Sequence, residues 1–109
     1  MKQFDDLIIA YTTSGLDSNT VETWYAANSP SGETLSALAE NIGTAFLAGR
    51  IDFISANGLL NQLMPLAGFE AAPTRFWQYY IAFEDFETAD DPDIKARPAI
   101  YALTSAGAA

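Results

Sequence analysis

Apolar residues recur along this chain at intervals of three and four, and residues that start or stop helices bound each run. Phe4, Leu7, Ile8 and Tyr11 form one stripe of a short first helix that stops before Ser14-Gly15. Residues from Asn19 to about Ala27 read as a second helix, with Asn19 as N-cap, Glu22 three positions on, and Val21, Trp24 and Tyr25 facing inward. The same stretch also suits a strand, because Thr20, Val21, Thr23, Trp24 and Tyr25 favour extended backbone.

Ser29-Pro30 reads as a capping hydroxyl followed by proline at the first helical position. The helix it opens carries Leu35, Leu38, Ile42, Ala45 and Phe46, and Gly49 closes it as a left-handed cap. Asp52 caps a fourth helix with Phe53, Ala56, Leu60, Leu63 and Met64 as its stripe, and Pro65 and Gly68 mark its end. Pro73-Thr74 opens a fifth, with Phe76, Trp77, Tyr80, Ile81 and Glu84 in sequence. Asp91-Pro92 or Arg97-Pro98 restarts a short last helix holding Ile100, Tyr101 and Leu103. The expected fold is all-α, a compact bundle of five or six short helices in one domain over residues 1–104, with 105–109 as a flexible tail. Helical spacing assigns the aromatic stripes, Phe46, Phe53, Phe76, Trp77 and Tyr80, to the core rather than to a ligand pocket.

Charge changes the picture more than length does. The chain has 109 residues and a formal net charge of −9, with no histidine and no cysteine. It therefore has no disulfide, no thiolate nucleophile and no imidazole to act as base or metal ligand near neutral pH. A pI near 4.1 repels phosphate backbones and anionic lipid, so no direct nucleic-acid binding and no membrane binding are expected. The two acids that follow Phe4 do not suit a signal peptide, and no run approaches the ~20 apolar residues of a membrane span. A soluble, cytoplasmic protein is the expectation. A basic protein is the complementary partner, through faster, steered association.

The acid is concentrated. Glu84, Asp85, Glu87, Asp90, Asp91 and Asp93 crowd into eleven residues with Phe83 and Phe86 among them and no base. Glu84, Asp85 and Glu87 fall at the end of the fifth helix, where the macrodipole disfavours anions by about 0.3–1 kcal/mol each. Asp90, Asp91 and Asp93 precede or open the last helix and suit its free N–H groups. Two phenylalanines beside such acids are hard to bury on one helix face, which leaves Phe86 as a candidate aromatic anchor. The candidate partner-binding residues are therefore Glu84, Asp85, Phe86, Glu87, Asp90, Asp91 and Asp93. The opposing reading is a solvated turn with both rings folded inward.

Other chemistry finds little support. The calcium-loop pattern fails, because glycine is missing from the sixth loop position and glutamate from the twelfth. No phosphate cradle or nucleophile elbow occurs, and carboxylates on a polar turn do not suggest a concave catalytic pair. No catalytic residue, metal or cofactor is expected. Arg50 reads as neutralising the carbonyl end of its helix or pairing with Asp52, and Arg75 lies near another helix boundary. Asn57, Asn61 and Gln62 read as a solvated polar side of the fourth helix.

Two stretches are similar to a known family. Phe46-Leu47-Ala48-Gly49-Arg50-Ile51-Asp52-Phe53, followed by Ala56-Asn57, resembles the helix–Gly–helix junction of small acidic helical immunity proteins of the colicin D immunity type. The run Trp77-Gln78-Tyr79-Tyr80 through Phe83-Glu84-Asp85 to the Asp-rich turn resembles their acidic second half. The resemblance implies an antitoxin-like binder that masks the basic active site of a nuclease toxin by imitating nucleic-acid charge. It transfers no individual residue. The expected function is thus an acidic protein that neutralises a basic partner, a toxin or nuclease, by occlusion. The alternative is a structural subunit or adaptor that docks or forms a homodimer through an aromatic surface.

Overall fold

Local chemistry sets where several of the helices begin and end. The computed structural model describes residues 2–68 and 74–108. Among the described residues six helices follow in order: α1 (Lys2–Thr13), α2 (Ser18–Asn28), α3 (Gly32–Leu47), α4 (Phe53–Ala67), α5 (Arg75–Glu84) and α6 (Pro92–Ala108). No strand occurs among the described residues, so the 19–27 segment is helical, with Asp17 rather than Asn19 as its N-cap.

Side chains cap three of the helices. Asp17 accepts from Asn19 N–H, Ser31 from Thr34 N–H and Asp52 from Ser55 N–H. Such caps contribute about 0.5–2 kcal/mol each. The start of α3 corrects the Ser29-Pro30 expectation. Ser29 closes α2 in a left-handed conformation, φ 41°, with its N–H on the Tyr25 carbonyl, and the cap passes to Ser31.

At the end of α3 the chain makes a Schellman turn. Gly49 N–H bonds to the Phe46 carbonyl at 3.0 Å and Arg50 N–H to that of Ala45 at 2.9 Å, with Gly49 at φ 78°. Pro65 does not stop α4 as expected. It lies inside the last turn, and Gly68 ends the helix with its N–H on the Met64 carbonyl. At the other end of the chain, α6 is the longest helix and runs through Pro98 to Ala108, into the segment expected to form a tail.

α3 is central and packs against α4, α5 and α6, while α1 and α2 pack together over α3 and α4. Apolar side chains from all six helices join in one core. The α1 stripe is buried as its spacing predicts. In the middle of the core, Phe46 and Phe83 meet edge to face with centroids 5.3 Å apart, and Phe53 lies 5.7 Å from Phe83. Edge-on pairs of this kind add about 0.5–1.5 kcal/mol beyond area burial. No helix among the described residues is long and apolar enough to cross a membrane.

Candidate functional site

The acidic segment begins on α5, and the way α5 packs sets what the segment presents. Phe76, Tyr79 and Phe83 form its inner face and are fully buried. Tyr79 crosses α3 at Gly43, where a Cβ would stand 2.7 Å from the ring carbon Cε1. Only glycine permits that approach without displacing the ring. The Tyr79 hydroxyl accepts from Arg75 Nη2 at 3.2 Å and lies 2.8 Å from Thr104 Oγ1. Arg75 also donates to the Leu103 carbonyl at 2.9 Å, fastening α5 to α6.

This packing corrects the expected stripe. Trp77, assigned to the core by spacing, lies on the outer face with Ile81, and the two are 40% and 38% exposed. Tyr80 is half-buried beside Trp77, with ring centroids 5.7 Å apart. Tyr101, on α6, is exposed as well.

The helix ends at Glu84, and that ending resolves how two phenylalanines coexist with the acids. Phe83 is the last buried ring of α5. The chain then turns, with Phe86 N–H on the Phe83 carbonyl, Glu87 N–H on that of Glu84 and Ala89 N–H on that of Phe86, all at 3.1 Å. Phe86 is thereby carried back against the core and is half-buried, so both rings face inward to different depths.

The six carboxylates divide into three groups. Asp85, Glu87, Asp90 and Asp91 are exposed, and none of the ion pairs among the described residues reaches them. Asp93 is committed internally: it accepts from Phe53 N–H at 3.1 Å and pairs with Arg97 at 3.5 Å. Arg97 in turn donates to the Leu47 carbonyl at 3.1 Å and lies 4.8 Å over the Phe46 ring. Asp93 and Arg97 thus tie the start of α6 to the α3–α4 junction.

Glu84 is the third group. It is half-buried, with Oε1 enclosed and without a hydrogen-bond partner. Burial raises its carboxyl pKa, a hydrogen bond to Asn61 on α4 opposes that rise, and neighbouring Glu87 adds to it. Tyr80 is also raised, first by burial and then by the charges of Glu84 and Glu87. The carboxylate field therefore reaches the aromatic face of α5.

Two polar residues differ from their expected roles. Asn57 is 6% exposed, with its side-chain oxygen unpartnered, so the polar side of α4 is not uniformly solvated. Arg50 pairs with Asp5 at 3.7 Å rather than with Asp52 or its own helix end. Asp52 is held below the usual carboxylate range by hydrogen bonds from Ser55 at the α4 cap.

Among the described residues, no group of three or more ligating side chains is arranged to hold a metal ion. A separate open groove of about 520 Å³ lies between α1 and α2, lined by Asp6, Leu7, Ala10, Asn19, Thr20, Thr23 and Trp24. Its polar content is one carboxylate among neutral groups, which offers little charge for selecting a partner. In comparisons with known proteins, no family model, no curated protein and no solved structure matches the chain.

Proposed function

We propose that this protein binds a basic protein partner, a toxin or nuclease, and neutralises it by occluding a site shaped for nucleic-acid phosphates. The observation that carries this reading is the exposed set Asp85, Glu87, Asp90 and Asp91, which no base of the described chain pairs with. Placed on one turn, they leave a dense negative charge for an external cation to neutralise. Such charge speeds encounter with a basic surface and discriminates against acidic ones. Glu84 and Asp93 support the turn, Glu84 through Asn61 and Asp93 through Arg97.

Affinity chromatography of the producing cell's proteins on wild-type protein and on the Asp85→Lys/Glu87→Lys variant tests the reading. A basic nuclease retained by the wild type, weakly retained by the variant and inhibited by added wild-type protein is the expected result. Retention that ignores the charge reversal, or a captured enzyme whose activity is unchanged, counts against it.

A second reading, an adaptor that docks through an aromatic surface, is favoured by the exposed Trp77 and Ile81 with Tyr80 beside them. Self-association is the simplest form of it. It must overcome repulsion between two chains of charge −9, so sedimentation at low and raised salt separates the two readings.

A further inference from the structure

We infer that the outer face of α5 is a docking surface for a basic amphipathic helix of the partner, with Trp77, Tyr80 and Ile81 covering its apolar side and Asp85 and Glu87 meeting its lysines or arginines. The inference rests on the proposed function and specifies which surface performs it and what chemistry fits there. Trp77, Ile81 and Asp85 follow one another at intervals of four, and Asp85 keeps right-handed helical backbone at φ −59°, ψ −23°. They therefore continue one ridge, on which the first carboxylate lies about 12 Å from Trp77 along the axis. Tyr80 and Glu84 form the neighbouring row. A helix laid against these rows meets apolar anchors first and carboxylates two turns later, so apolar positions on its inner face meet Trp77, Tyr80 and Ile81 while lysines or arginines flanking that face reach Asp85 and Glu87.

Charge selects the occupant. The C-terminal end of α5 carries the negative pole of its macrodipole, in line with Glu84, Asp85 and Glu87. A cationic segment is favoured there by side chains and backbone alike. A second copy of this chain would bring −9 against −9, anionic lipid and nucleic acid are repelled in the same way, and no strand edge among the described residues can accept an added strand. What a wholly acidic turn lacks is buried contact area, and the Trp77–Tyr80 pair with Ile81 supplies it.

The test uses the full chain and a fluorescent leucine–lysine peptide of about four turns, amphipathic when helical. Its controls are a scrambled peptide of the same composition and a leucine–glutamate counterpart. Anisotropy is read for wild type, Trp77→Gln/Ile81→Gln, Ile81→Gln alone, and Asp85→Lys/Glu87→Lys, with circular dichroism and melting to verify the fold. The amphipathic lysine peptide is expected to bind wild type about tenfold tighter than its scrambled form, and each double variant to lose about tenfold. The single Ile81→Gln variant carries the apolar arm if the double variant is unstable.

A loss on charge reversal with none at Trp77 or Ile81 overturns the docking surface while leaving the acidic binder standing. A loss at Trp77 and Ile81 with none on charge reversal, and equal binding of the glutamate peptide, overturns the basic occupant and the proposed function together. A wild-type dimer that the Trp77→Gln/Ile81→Gln variant abolishes assigns the face to a second copy, which also overturns the inference.

Discussion

On the inner face of α5, Phe76, Tyr79 and Phe83 are fully buried, whereas on the outer face Trp77 and Ile81 keep 40% and 38% of their surface in water. Both faces are apolar, and one contains an isoleucine and the largest aromatic residue of the helix, so hydrophobicity does not separate them. Their neighbours do. The inner rings meet Gly43 and the Phe46–Phe53 pair, where a groove in α3 and complementary ring edges accept them. The outer residues face water, on the helix that ends at the carboxylates Glu84 and Asp85. A burial pattern is thus decided by the shape opposite a residue, and an apolar surface left uncovered beside concentrated charge suggests contact with another molecule.

The largest expected effect contrasts the two faces directly. Phe83→Ala is expected to cost about 3–5 kcal/mol in urea unfolding, because a fully buried ring leaves a cavity among Phe46 and Phe53. Trp77→Gln should cost much less. Equal costs would mean that the two faces do not differ in the way described.

Next in size is Gly43→Ala. Overpacking against Tyr79 should cost about 1–3 kcal/mol, offset by up to ~1 kcal/mol from the better helix propensity of alanine. The net loss should shrink in a Tyr79→Leu background, measured as a double-mutant cycle. Additive losses would show that the α3–α5 approach does not depend on this contact.

Phe86→Ala should fall between the faces, at about 1–2 kcal/mol, since its half-buried ring is packed against the core but not enclosed by it. A loss as large as that of Phe83 would make the turn part of the core.

The smallest effect depends on pH. The folded chain raises the Glu84 pKa above its unfolded value, so between those two values the folded state holds more proton and loses stability as pH rises. Above the folded pKa the full penalty is present. Glu84→Gln should therefore raise Tm near neutral pH, and the gain should vanish in acid, below the unfolded carboxylate pKa. Asp52 works in the opposite sense: its lowered pKa stabilises the fold above the unfolded value, and that contribution is lost as acid titrates it. Comparing melts of wild type and Glu84→Gln at matched pH removes the Asp52 contribution. A gain that persists unchanged in acid would contradict the account of Glu84.

Much of the fold was legible in the chain. The Phe4–Tyr11 stripe, the Asp52 cap and the Gly49 turn all follow from local chemistry that needs no distant partner. The start of α3 was harder to place, because Ser29, Pro30 and Ser31 all offer start signals and the left-handed exit of α2 takes the first of them. Pro65 misleads for a similar reason: a proline late in a helix removes one hydrogen bond without ending the helix.

The site was half legible. Exposure of Asp85, Glu87, Asp90 and Asp91 follows from charge, and the i,i+4 pairing of Asp93 with Arg97 was a visible sign that Asp93 has internal work. The choice between the two apolar faces of α5 was not visible, because it is made by Gly43 on another helix. Nor does sequence mark Asn57 as buried, since its neighbour Asn61 has the same side chain and reaches Glu84 instead.

Docking on the outer face of α5 is tested most directly by a map of backbone amide shifts by ¹H–¹⁵N NMR as the amphipathic leucine–lysine peptide is titrated into the intact chain. The largest shifts are expected on Trp77, Ile81, Asp85 and Glu87, with the α1–α2 groove around Asp6 and Trp24 unchanged. Shifts centred on that groove, or spread evenly over the other acids of the chain, would contradict it.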